Sequence, residues 1–131
     1  MAQTERLERL IADQAGECCD TDVAARVAEL DDLRTEAALD RGDDDVGVFG
    51  ALANETRYRI VRLLAAADGE LCVCEFDPLL DVSESAISHA LSDLTGAGLV
   101  ARRKEGKWRY YRTTDRAEAL LAAVDEPEVD R

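Results

Sequence analysis

The chain is short of several things, and each shortage closes off a class of function. No apolar run reaches the ~18 residues that a membrane span requires, so a soluble protein with no membrane partner is expected. The opening Met1-Ala2-Gln3-Thr4-Glu5-Arg6 lacks the basic-then-apolar layout of a secretion signal, so export is not expected and a cytoplasmic address follows. A single histidine, His89, excludes a His-rich metal site within one chain. Lysine is nearly absent: Lys104 and Lys107 stand against fourteen arginines. The four cysteines include no Cys-x-x-Cys, and no glycine-rich loop is placed to cradle an anion, so an enzyme such as a thiol oxidoreductase is not indicated.

What remains is a 131-residue chain of net charge −13, long enough for one domain that buries roughly two-thirds of its unfolded surface. Such an anionic surface keeps a protein soluble and repels polyanions at low ionic strength, whereas at 1 M salt the Debye length shrinks to ~3 Å. The balance points to a salt-rich cytoplasm. It is also uneven. Residues 1–46 carry net −9 and residues 47–131 net −4, and within Leu99–Arg112 six bases face one acid, a local +5. A basic stripe on an acidic chain repels itself unless something negative sits on it, and nucleic acid is the usual partner.

Leu7, Leu10 and Ile11, then Val23, Val27, Leu30 and Ala37 or Ala38, fall at helical spacing, which predicts two amphipathic helices split near Gly16–Asp20. Gly42-Asp43-Asp44-Asp45 reads as a linker. The expected organisation is an N-terminal helical extension over 1–46 carrying a Cys-Cys pair, a main domain over 47–124, and a loose acidic tail over 125–131. In the main domain Val48, Phe49, Leu52 and Ala53 make a short apolar face. Asn54 offers an N-cap for a helix whose core stripe is Tyr58, Ile60, Val61, Leu63 and Leu64. Ala67-Asp68-Gly69 ends that pattern, and Leu71–Phe76 reads as a short extended segment or a helix start. Asp77 suits the N-cap and Pro78 the first turn of a further short helix.

A clearer helix runs from an N-cap at Ser83 to about Thr95. Ile87, Leu91 and Leu94 turn to the core, while Ser85, Ser88, His89 and Ser92 form an opposite stripe of short polar side chains able to approach another surface closely. Gly96 and Gly98 supply a left-handed cap. Two strand-like runs, Leu99–Arg103 and Trp108–Arg112, are joined by Lys104-Glu105-Gly106-Lys107 into a hairpin with a basic tip. Helix, turn, polar-faced helix and basic hairpin, in that order, describe a winged helix-turn-helix: mainly α, with a small β-hairpin wing. Ser85, Ser88, His89 and Ser92 are the candidates for base edges, and Arg102, Arg103, Lys104, Lys107 and Arg109 for phosphates.

The motifs Phe49-Gly50-Ala51-Leu52-Ala53-Asn54-Glu55-Thr56-Arg57-Tyr58-Arg59-Ile60, Glu70-Leu71-Cys72-Val73-Cys74-Glu75, Ser83-Glu84-Ser85-Ala86-Ile87-Ser88-His89 and Gly106-Lys107-Trp108-Arg109-Tyr110-Tyr111 closely resemble the ArsR/SmtB family of metalloregulatory repressors. The resemblance spans about Phe49 to Thr114. It implies a homodimer that represses a resistance or efflux operon from double-stranded operator DNA and leaves that operator when a toxic ion binds. Family dimers pair the first and last helices, which here resemble the stretch before Asn54 and Asp115–Val124, where Ala117, Leu120, Leu121 and Val124 form an apolar face.

Structural disulfides are not expected of cytoplasmic cysteines. Cys72 and Cys74 lie two apart: on an extended segment they point the same way, and on a helix they are separated by ~200°. The Cys-Val-Cys box resembles the arsenite and antimonite site of arsenic repressors. Some members carry a third cysteine three residues after the second, where this chain has Asp77. Trivalent arsenic favours three thiolates, which directs attention to Cys18 and Cys19 as further ligands. Zinc and nickel sensors of the family use His and carboxylate clusters that a single histidine does not provide, and His89 fits a DNA contact better than ligation. The expectation is no permanent cofactor and an As(III) or Sb(III) inducer. Another thiophilic ion of the cadmium or lead type, or a thiol redox switch on the same fold, is the alternative.

Overall fold

The computed structural model describes residues 4–15 and 20–127; Cys18, Cys19 and the tail beyond Pro127 lie outside the described residues. The chain divides into two compact units, residues 1–42 and 43–131.

In the first unit the two expected helices form as α1 (Glu5–Ala15) and α2 (Asp20–Glu36). Leu7, Ile11, Val23 and Val27 are half-buried on the predicted faces, whereas Leu10 and Leu30, expected there too, are exposed, and none of the described residues of this unit is fully buried. Ala38 takes a left-handed conformation (φ 54°) and ends the helical run before a 3₁₀ turn over Leu39–Arg41.

The aspartate tract expected as a linker is instead the first turn of α3 (Gly42–Leu52). The reason is electrostatic: Asp43, Asp44 and Asp45 sit where the helix presents unpaired amides and its positive pole, and each such carboxylate stabilises that end by about 0.3–1 kcal/mol. The Asn54 side chain accepts the Arg57 amide at 3.0 Å and starts α4 (Glu55–Ala67), which buries Ile60, Val61 and Leu64; Tyr58 and Leu63 are half-buried beside them. Arg57 then braces the corner. Its guanidinium donates to the carbonyls of Ala51 (2.7 Å) and Gly50 (3.3 Å), occupying acceptors at the end of α3, and pairs with Asp93.

Leu71 and Cys72 form a two-residue strand, β1, and the chain tightens at once into a 3₁₀ turn over Val73–Phe76 that drives Phe76 into the core with no exposure. Both readings of this segment are therefore realised in sequence. The helix expected from Asp77 and Pro78 does not form: the amides of Leu79 and Leu80 both donate to the Phe76 carbonyl at 3.0 Å, and residues 77–79 are a turn. Pro78 has no amide to continue a ladder, and Ser83 already caps the next helix a few residues later.

That helix is α5 (Glu84–Gly96); Ser83 Oγ accepts the Ala86 amide at 3.1 Å, and Ile87, Leu91 and Leu94 have no solvent exposure. Each such side chain contributes roughly 1.5–3 kcal/mol by leaving water. The left-handed residue after the helix is Gly98 (φ 72°), whereas Gly96 is still helical. Strands β2 (Val100–Glu105) and β3 (Trp108–Thr113) form the hairpin, turned through Gly106 at φ 62°, and β1 joins it to give the antiparallel order β1-β3-β2. Thr114 caps α6 (Asp115–Asp125) and also donates to the Gly98 carbonyl at 2.7 Å, tying the left-handed turn to the last helix. Asp125, expected to open a loose tail, closes α6 and pairs with Arg62 of α4 at 2.9 Å. Among the described residues no helix is long and apolar enough to cross a membrane.

Candidate functional site

The site begins with how the chain leaves α4. After Asp68 closes that helix in the left-handed region, Glu70 leads into β1, and Cys72 enters the sheet opposite Tyr110. Cys72 is the N-cap of the 3₁₀ turn: its amide donates to Glu75 Oε1 at 2.7 Å, while its sulfur accepts the Glu75 amide. This reciprocal box has a sulfur where serine or threonine usually stands. It fixes the local backbone so that the Cys74 thiol donates to Cys72 Sγ at 3.3 Å. Cys72 is buried, Cys74 is exposed, and both are free. The hydrogen bond to Cys72, then burial and the neighbouring charge, raise the Cys74 thiol above the usual cysteine range. Among the described residues no group of three or more His, Cys, Asp or Glu side chains is gathered for a metal ion, so this corner supplies a pair of sulfurs open to solvent on one side.

The second component is the surface of α5 with the hairpin. Ser85, Ser88, His89 and Ser92 are all exposed, on the side of α5 away from the buried Ile87, Leu91 and Leu94. Arg102, Lys104, Lys107 and Arg109 are exposed on the hairpin, and Lys107 lies 5.4 Å above the ring of the exposed Trp108. The fifth candidate behaves differently. Arg103 is gripped by Glu70 through Nε (3.2 and 3.0 Å) and Nη2 (2.8 Å), by Glu105 through Nη1 (2.9 Å), and stands 4.8 Å over Tyr110. The two carboxylates raise the Arg103 pKa, and Arg103 holds Glu70 below the ordinary glutamate range. Cys18 and Cys19 are outside the described residues.

The geometry therefore unites Cys72 with Cys74, and the serine stripe with its expected helix. The sequence reading missed Glu70, Glu75, Tyr110 and Arg57. Glu75 had a legible signal, a glutamate three residues after a residue that ends a strand; Glu70 had none, because its partner lies 33 residues away.

Residues 54–102 match the model of the bacterial regulatory proteins of the arsR family. A protein of Halobacterium salinarum named as an arsenical resistance operon repressor is 59% identical over 125 residues, covering 95% of this chain and 97% of its own. This chain belongs to the ArsR family. The arsenical resistance operon repressor of Escherichia coli is 43% identical over 79 residues, 60% of this ArsR-family chain and 67% of that protein. Among solved structures, the homodimeric winged helix-turn-helix DNA-binding domain of a possible ArsR-family regulator from Mycobacterium bovis is similar at TM-score 0.58 and 36% identity, over 68% of this chain and 80% of that one. The protein is a winged-helix transcriptional regulator, and its relatives are regulators, not enzymes.

Proposed function

We infer that this protein represses an arsenical resistance operon: a homodimer holds operator DNA and lets go when cysteine thiolates capture As(III) or Sb(III). The observation that carries this reading is the pair of sulfurs 3.3 Å apart, one at the end of a strand hydrogen-bonded to the hairpin and the other in the 3₁₀ turn that follows it. With a bond of about 2.3 Å, the length familiar for zinc thiolates, sulfurs at that separation subtend roughly 92° at a shared ion, whereas a regular tetrahedron at the same bond length needs about 3.8 Å and 109°. A near-right angle suits a pyramidal ion with a lone pair, and soft donors favour it over hard cations. Cys72 and Cys74 would hold the ion, and on chemical grounds Cys18 or Cys19, of the same chain or a second copy, would complete three thiolates.

The DNA reading assigns Ser85, Ser88, His89 and Ser92 to base edges and adjoining phosphates, and Arg102, Lys104, Lys107 and Arg109 to phosphates. The names of the arsenical relatives support the operon, and the homodimeric neighbour supports a dimer. So do the apolar side chains left in water on α3 and α6, Phe49 at 62% and Val124 at 68% exposure.

The test is release of a labelled duplex carrying the region upstream of the protein's own gene. As(III) should displace the unmodified protein, while Cys72→Ser and Cys74→Ser keep operator affinity and need at least about tenfold more ion. Equal release from the serine variants would overturn the ligand assignment. Parallel arms with Cd(II), Pb(II) and peroxide decide whether another soft ion or an oxidant is the true signal.

A further inference from the structure

We propose that Arg103 is a positioning residue that ties the hairpin to the thiol-bearing strand, and not one of the phosphate contacts. The inference rests on the function proposed above for the ion site, but its geometry is independent of it.

Side chains alternate along a strand, so on β2 Arg103 points away from the face shared by Arg102 and Lys104, and Arg109, opposite Lys104, stands with those two. The hairpin's basic residues are therefore split. Arg102, Lys104 and Arg109 share one face, and none of them has a carboxylate partner among the described residues. Arg103 and Arg112 are on the other face, where Arg103 is held by Glu70 and Glu105. A phosphate approaching Arg103 meets a guanidinium already paired with two carboxylates, and with Arg112 on the same face beside Glu70 the spot carries no net positive charge to draw the backbone it was expected to bind.

The register gives that face another role. Tyr110 pairs with Cys72 on one side and with Arg103 on the other, so a single row across the three strands runs from the buried sulfur through the aromatic ring to the guanidinium. Directly opposed residues in a sheet share a face and interact. Arg103 stands over that ring, and its fork closes on Glu70, two residues before Cys72. The strand β1 is only two residues long, so its attachment to the hairpin depends on this row and on the Glu70–Arg103 fork as much as on its own ladder. A change of backbone at Cys72 then reaches β2 through fixed contacts, and an arginine is suited to that task by its rigid two-pronged geometry.

The experiment compares Arg103→Gln, Glu70→Gln, the double variant and Lys104→Ala with the unmodified full chain, measuring operator affinity against salt, with and without As(III). Lys104→Ala should flatten the log affinity against log salt slope by about 0.9, the loss of one phosphate contact. Arg103→Gln and Glu70→Gln should leave that slope unchanged and instead lower the ratio of affinities without and with As(III) by at least about threefold. The double variant should be no worse than either single one, as expected of two groups acting through one contact. A slope loss in Arg103→Gln equal to that in Lys104→Ala overturns the proposal, and so does an unchanged release ratio in both glutamine variants. If the unmodified protein ignores As(III), the function proposed above fails; the salt slopes still decide whether Arg103 touches phosphate.

Discussion

The proton attached to Cys74 offers a sharp way to tell which ion this site takes. The Cys74 thiol donates to Cys72 Sγ and holds its proton more tightly than an ordinary cysteine. A divalent cation must expel that proton, because thiolates are the ligands. Each proton released makes affinity climb about tenfold per pH unit, equal to 1.36 kcal/mol. For Cd(II), displacement of the proton from Cys74 alone gives that slope. The sign follows from the raised pKa: affinity is weakest in acid, rises with pH, and levels off only above the raised Cys74 value. As(III) behaves otherwise. It enters as neutral As(OH)₃, and each hydroxide that leaves takes a thiol proton with it as water, so two thiols yield two waters and no net proton. Between pH 6 and 7.5 the As(III) affinity should be flat, while that for Cd(II) rises roughly 30-fold or more. Direct titration of DNA-free protein by calorimetry, in two buffers of different ionisation heat, reads affinity and proton count together. An As(III) affinity that climbs in step with Cd(II), or a Cd(II) affinity that stays level, would refute the protonated thiol pair as the binding site.

Phe76→Ala, which empties a fully buried position beneath the cysteine turn, should lower stability by about 3–5 kcal/mol in chemical denaturation, and a loss under 1 kcal/mol would mean the turn does not rely on it. Gly98→Ala forces a left-handed φ of 72° on alanine and sets its Cβ 3.1 Å from Arg116 Nη1; a loss of at least about 1–2 kcal/mol is expected by the same measurement. Lys107→Ala should weaken binding to all DNA sequences alike in a gel-shift comparison of operator and random duplex, and altered sequence preference at constant affinity would contradict a phosphate role. Phe49→Asp and Val124→Asp should each shift the protein from dimer to monomer in sedimentation, since both put a charge on faces left apolar in the single chain.

Local chemistry made much of this fold readable. Asn54 and Ser83 cap helices through contacts three residues long, and the apolar spacing of Ile87, Leu91 and Leu94 fixes which side of α5 is buried, leaving the serine stripe outside. The errors share a cause as well. Reading Asp43–Asp45 as a linker weighed mutual repulsion and solvation, but not the pull of a helix's positive end. The pairing of Arg103 with Glu70 was hidden too, because charge counted along the chain does not show a partner brought close only when β1 pairs with β3. The cysteines were legible as a pair from their spacing, although a 3₁₀ turn and not extended backbone brings the two sulfurs together. That Glu75 locks their turn had only its three-residue spacing as a signal, since a cysteine N-cap is outside the usual capping vocabulary.

Trp108, the chain's single tryptophan, stands 47% exposed at the end of the hairpin with the Lys107 ammonium above its ring. Every photon emitted on excitation at the indole's red edge therefore originates at the tip of the wing and nowhere else. The native protein carries a built-in optical probe of the place where duplex DNA would arrive and depart, so both events can be followed in real time without attaching a dye.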